Sequence, residues 1–213
     1  MYQSTAYKHF KIAAIISIAI ALFIALFLFI YGKNNSFLVI NQWNSPYFDP
    51  VFEFWTYLGD GLIWVPVFLY ALFFKRDFLI SIIAAIIIST ILTHLLKRVI
   101  FPGELRPIMI LKEQVRTIPG YYINRVNSFP SGHTTTAFTL ALLMAFEARR
   151  TWCDIVFPLI AFFVGYSRVY LAQHFVTDVL GGVLVGLISA SLALWIYAAY
   201  KKRKEQKKLP NTQ

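Results

Sequence analysis

The chain has 213 residues and a formal charge of +10, with 58% hydrophobic and only 14% charged residues. A soluble domain carries about a quarter charged residues. Here the apolar excess comes in blocks, which excludes an ordinary soluble globule and leaves no room for a sizeable soluble module.

Six apolar blocks run along the chain: 12–31, 54–74, 78–96, 131–146, 152–170 and 176–200. Crossing about 30 Å of hydrocarbon takes roughly 20 residues at 1.5 Å each, so each block is a candidate membrane helix, the fourth being short. The first block follows Lys8 and Lys11, as a signal peptide would. It is longer than a usual signal core, and residues 31–35 offer no small-residue cleavage site, so a retained span is expected. Between the first two blocks, Trp43, Tyr47, Phe48, Pro50, Phe52 and Trp55 suit a segment lying at the headgroup boundary.

Basic residues set the orientation. With the N-terminus inside, the inner segments hold Lys8, Lys11, Lys75, Arg76, Arg149, Arg150, Lys201, Lys202, Arg203, Lys204, Lys207 and Lys208, twelve of the twenty basic residues. Six of the remaining eight lie between positions 97 and 125, an excess on the outside that asks for a reason. The charge therefore speaks for topology and anionic headgroups rather than nucleic acid. The single cysteine, Cys153, excludes an intramolecular disulfide and cannot anchor a metal site by itself.

Three polar clusters interrupt the apolar chain. They are Lys97-Arg98 with Arg106-Pro107, then Pro130-Ser131-Gly132-His133, then Ser167-Arg168 with His174 and Asp178. The first leaves the third block, the second precedes the fourth and the last follows the fifth, so six crossings put all three on one side by parity, the outer side on the charge assignment. Their chemistry suits a phosphate ester. Lys97, Arg106 and Arg168 carry positive charge, and guanidinium forks match phosphate oxygens. Ser131 after Pro130 resembles a helix start, where backbone N–H groups bind anions and Gly132 allows close approach. His174 and Asp178 are four apart, on one face of a helix, where a carboxylate fixes the imidazole tautomer. Taken singly, each feature has a plainer explanation: snorkelling, helix capping, packing or an ordinary hydrogen bond. Three such clusters on one face make coincidence a poor account.

On these residues the chain resembles the type 2 phosphatidic acid phosphatases, membrane enzymes that share their site with vanadium haloperoxidases. The family signature reads Lys-x6-Arg-Pro, Pro-Ser-Gly-His and Ser-Arg-x5-His-x3-Asp. Positions 130–133 match the second part, and positions 167–178 match the third at each fixed residue. The first part departs, with eight residues between Lys97 and Arg106 instead of six, so Arg98 competes with Lys97 unless a turn at Pro102-Gly103 absorbs the excess. The resemblance implies that His174 attacks phosphorus and Asp178 orients it. It implies too that His133 protonates the leaving oxygen and then activates water. Lys97, Arg106, Ser131, Gly132 and Arg168 would hold the phosphoryl oxygens.

No cofactor or metal is expected, since Glu104, Glu113 and Asp178 form no clear ligand set. His94 reads as structural; Asp60 is an intramembrane acid, functional by default or else paired with a nearby basic residue, and is left outside the site; Gly182 and Gly186 read as helix-packing positions. The basic tail, 201–213, reads as a cytoplasmic anchor. The expectation is thus a single all-α domain over 1–213, a bundle of six transmembrane helices in a bacterial plasma membrane. It would act as a lipid phosphate phosphatase whose site faces the periplasm or cell exterior. Its substrate would be undecaprenyl pyrophosphate, phosphatidylglycerol phosphate or lipid A 1-phosphate in type, and its partners membrane lipids. A lipid phosphotransferase, or a phospholipid binder or transporter without catalysis, is the alternative. The two histidines with their aspartate argue against mere binding.

Overall fold

A computed structural model describes residues 2–207; Met1 and residues 208–213, which include Lys208 of the basic tail, lie outside the described residues. Among the described residues the chain is all-α. Its eight helices are α1 (Tyr2–Gln42), α2 (Asp49–Thr56), α3 (Trp64–Phe74), α4 (Leu79–Leu95), α5 (Pro107–Leu111), α6 (Gly132–Ala148), α7 (Thr151–Tyr170) and α8 (Val176–Gln206). Large apolar side chains such as Phe29, Phe73, Phe74, Ile91 and Trp195 are exposed around the outside, the surface of a protein solvated by lipid.

α1 bends at Gly32, whose φ of 71° suits a residue without Cβ. This bend follows the first apolar block, so residues 33–42 form a second helical piece. The next expected span, 54–74, is not continuous. α2 and α3 are separated by two 3-10 turns, Tyr57–Gly59 and Gly61–Ile63, and meet at 57°. Asp60 stands extended between the turns and caps the second, its Oδ1 accepting the Leu62 N–H at 2.9 Å. Glycine is needed beside it, because a Cβ at Gly59 would lie 2.6 Å from the carbonyl oxygen of His133. The break is therefore moulded against α6.

α6 occupies the middle of the bundle and packs against α1, α7 and α8. Its buried Thr135 and Thr139 donate to the carbonyls of Ser131 and Thr135, at 3.0 and 2.7 Å, so their hydroxyls cost nothing unpaired. α8 approaches closely because Gly182 and Gly186 face α6. A Cβ there would meet Ser131 O at 2.8 Å and Thr135 O at 3.1 Å.

Among the described residues four helices are long and apolar enough to cross a membrane, Thr5–Gln42, Leu79–Ile100, Thr151–Tyr170 and Val176–Gln206, and the bent pair, taken as one span, makes a fifth. α6 does not qualify. Its 17 residues reach about 26 Å, short of about 30 Å of hydrocarbon, and most of its surface is covered by neighbouring helices rather than offered to lipid. Of the six blocks read from hydropathy, five correspond to these membrane-length elements among the described residues, and the fourth forms the short buried α6.

Candidate active site

At one end of the bundle the link between α7 and α8 folds back on itself. The backbone N–H groups of Gln173 and His174 both donate to Arg168 O, at 2.9 and 3.2 Å, and Ala172 takes a positive φ of 57° to make the turn. The His174 ring is thereby buried under the helix ends with 2% exposure. Its Nδ1 lies 3.3 Å from Asp178 Oδ2 in the first turn of α8. That oxygen also accepts the Phe175 N–H at 2.9 Å and the Ser128 hydroxyl, so the carboxylate is fixed from three sides. With Nδ1 engaged, Nε2 is the nitrogen left for chemistry. Burial pushes the His174 imidazole down to about 3, Asp178 opposing and the nearby Arg106 adding to the effect. The site thus favours the neutral ring, the form in which an imidazole can act as a nucleophile.

Cations converge on this imidazole from three elements. Arg106, just before α5, is 7% exposed and donates through Nε to Val126 O and through Nη1 to Gln173 O and Oε1. Burial, with Arg168 beside it, lowers the guanidinium to about 10; it stays charged. Arg168, in the last turn of α7, is 5% exposed and donates to Thr56 Oγ1 at 2.6 Å. Its buried Nε has no hydrogen-bond partner among the described residues, a state that an anion would relieve. Lys97 lies within electrostatic range of Arg106, Arg168 and Asp178, whereas Arg98 is exposed. Both residues lie in a π-helical turn, Leu96–Ile100, which carries an additional residue per turn and is followed by a bend in which Gly103 has a φ of 75°.

The second polar cluster completes the arrangement. Ser131 caps α6, its Oγ accepting from the Thr134 hydroxyl at 2.9 Å, and its own N–H donates to Asp178 O at 2.9 Å. This last bond ties the start of α6 to the start of α8. Gly132 and His133 follow in the first helical turn, where N–H groups have no intrahelical acceptor. His133 is half-buried, and Arg168, Lys97 and Arg106 all act on its ring electrostatically. A cavity of about 210 Å³ opens beside His133 and Arg168, lined also by Asp60, Tyr121, Tyr122 and Gln173.

The structure thus brings together Lys97, Arg106, Ser131, Gly132, His133, Arg168, His174 and Asp178. Sequence reasoning missed Ser128, which donates to Asp178, and Gln173, which links Arg106 to the Tyr122 carbonyl. Asp60 was placed outside, yet its Oδ2 lies 3.6 Å from His133 Nε2. An acid between two glycines in an apolar block was the available signal. His94 is exposed and takes no part in the cluster.

The sequence profile of the PAP2 superfamily matches residues 78–203, which contain every one of these residues except Asp60. The lipid A 4'-phosphatase of Porphyromonas gingivalis is 29% identical over 80% of this chain and 75% of its own length. The putative undecaprenyl-diphosphatase YbjG of Escherichia coli is 33% identical over 65% of this chain and 66% of its own. The crystal structure of Aquifex aeolicus LpxE superimposes with a TM-score of 0.68 and 31% identity, covering 76% of this chain and 94% of that one. Buried cations around a clamped histidine, on a membrane bundle of this shape and with this profile, establish that the chain belongs to the PAP2 superfamily and is a membrane lipid phosphatase.

Proposed function

We propose that the chain hydrolyses a lipid phosphomonoester or diphosphate at the extracytoplasmic face of the membrane, through a phosphohistidine on His174. The observation that carries this reading is the His174–Asp178 pair, buried beneath Arg106 and Arg168, with an unpartnered Arg168 N–H beside it. His174 Nε2 attacks phosphorus as the bond to the lipid oxygen breaks, and that oxygen takes a proton from His133. His133, now neutral, removes a proton from water, whose oxygen attacks the phosphohistidine; the P–N bond breaks and phosphate leaves. Asp178 holds the Nδ1 proton throughout. Lys97, Arg106, Arg168 and the first N–H groups of α6 neutralise the oxygens, which is most of what phosphoryl transfer demands of a protein. With these cations in place, no divalent ion is needed.

The short α6 and the bent α2–α3 pair each count as one passage in a six-crossing topology, which puts the three polar clusters on one side. At the opposite end of the bundle Lys75 pairs with Glu147 at 2.9 Å and Lys201 with Asp77 at 2.9 Å, gathering the basic connections there. The positive-inside rule assigns that end to the cytoplasm and the site to the exterior. The kinds of lipid named for the relatives, lipid A and undecaprenyl diphosphate, support an outer-leaflet substrate of one of these types, with phosphatidylglycerol phosphate as a third. A purified sample given these three lipids should release inorganic phosphate from at least one, and release from none would sink the proposal. In a Cys153→Ser background, Lys112→Cys should react with an impermeant thiol reagent in intact cells, and Arg150→Cys only after permeabilisation. Reversed labelling would place the site inside.

A further inference from the structure

We infer that Asp60 is a positioning residue for the proton-transferring histidine, holding the His133 ring and supporting its protonated form while the lipid oxygen leaves. The inference rests on the proposed role of His133 and adds a group from outside the three sequence motifs. Asp60 Oδ2 lies 3.6 Å from His133 Nε2, within ion-pair range and just beyond hydrogen-bond length. Catalytic contacts often stand this open before substrate binds.

Three features fix the carboxylate there. Its other oxygen accepts the Leu62 N–H at 2.9 Å, so capping of the 3-10 turn sets the side-chain rotamer. Gly59 lets the turn touch α6, since a Cβ would come within 2.6 Å of the His133 carbonyl oxygen. The acid sits at the break of a membrane-length helix pair, where a carboxylate is costly unless it has a partner. Among the described residues, His133 is its ion-pair partner.

The electrostatics give the carboxylate a task. Burial works against a charged His133 ring, and Arg168 from α7, Lys97 from the π-helical turn and Arg106 before α5 add to it. Asp60 is the anion that opposes them at this ring. Asp178 is occupied with His174, and Glu53, Tyr57, Tyr121 and Tyr122 line the same cavity without an ion pair to His133. Without Asp60, a general acid surrounded by three cations would hold its proton poorly.

The test uses two substrates that share one lipid chain, a monophosphate and the diphosphate of the same alcohol. The first expels an alkoxide and needs the acid; the second expels a phosphate and needs it far less. Asp60→Asn keeps a capping side chain, so the fold should persist, checked by an unchanged melting temperature in detergent. Its kcat/KM should fall about 10- to 100-fold on the monophosphate, within the range of general-acid contributions, and at least about fivefold less on the diphosphate. His133→Ala should show the same bias more strongly, and the double variant should be no worse than His133→Ala. Equal losses on both substrates with Asp60→Asn overturn the inference. So does a loss with Asp60→Ala that Asp60→Asn does not share, which would leave capping as the whole role. Bias in His133→Ala but not in Asp60→Asn rejects Asp60 alone. Absence of bias in His133→Ala rejects the role of His133 itself, and this inference with it.

Discussion

At the α7–α8 junction the backbone around His174 turns back onto α7 itself, whereas across the cavity the segment from Phe101 to Asn127 supplements its own Arg106–Arg125 and Arg106–Val126 bonds with anchors borrowed from elsewhere. Residues 171–175 are buried, with the backbone returned to Arg168 O. The opposite segment exposes Phe101, Leu105 and Tyr122, and its anchors are long-range. Arg116 forks onto Asp49, which also accepts the Tyr170 hydroxyl at 2.6 Å, while Asn41 brackets the Arg116 backbone. Gln173 donates to Tyr122 O at 2.7 Å. The contrast follows from what each side must do. A nucleophile is useful only within a few tenths of an ångström of its line of attack, so it belongs on rigid helix ends. Cations that meet phosphate oxygens, and a rim that meets a headgroup, tolerate a looser support.

The largest test of this contrast is His174→Ala. Phosphate release should fall by at least about a thousandfold, as when a covalent nucleophile is removed, and acid quenching should trap no phosphoprotein. Substantial turnover by this variant would break the mechanism.

Next come the two adjacent cations at the edge of the looser side. Lys97→Gln should lower kcat/KM about 10- to 100-fold, the scale of losing one group that stabilises developing charge, while Arg98→Gln should stay within about threefold. Equal effects would show that burial does not set Lys97 apart from Arg98.

A smaller effect is expected where the rim is pinned. Arg116→Ala removes a forked contact that is partly buried, and Asp49 raises the guanidinium's affinity for its proton. KM should rise about 3- to 10-fold with kcat within about twofold, since the rim positions substrate while the nucleophile stays aimed. A fall in kcat as large as the rise in KM would mean that the two sides are mechanically coupled.

The mildest test is by pH. The folded protein holds His174 near 3, below its ordinary 6.5, so between these values the unfolded chain binds more protons than the folded one. Stability should therefore decline as the pH falls from about 6.5 towards 3 and be fully present above it. His174→Gln should lose part of that decline, read as melting temperature against pH in detergent. An identical profile would place the proton uptake at another group.

The sequence by itself determined the all-α membrane character, because long apolar blocks with few charges satisfy their backbone in lipid as helices, whereas barrel strands are shorter and alternate polar with apolar residues. It also singled out the serine before glycine that caps α6. Close helix packing at Gly182 and Gly186 was legible for a similarly local reason, the small side chain. What depends on distant partners was not. His174 and Asp178 do meet, but not on one helix face: His174 precedes α8, and the turn back onto Arg168 O carries its ring to Asp178. The partial burial of Lys97 beside the exposed Arg98 occurs in a π-helical turn, which no distinctive residue marks in the sequence. The burial of α6, and so the count of four or five membrane-length elements, was decided by neighbours that cover its sides; hydropathy registers apolarity and cannot tell lipid from protein. Asp60 reached His133 only because a 57° break points it there and a missing Cβ at Gly59 admits α6. Contacts between residues 73 positions apart are set by packing, and packing has no local signature in the chain.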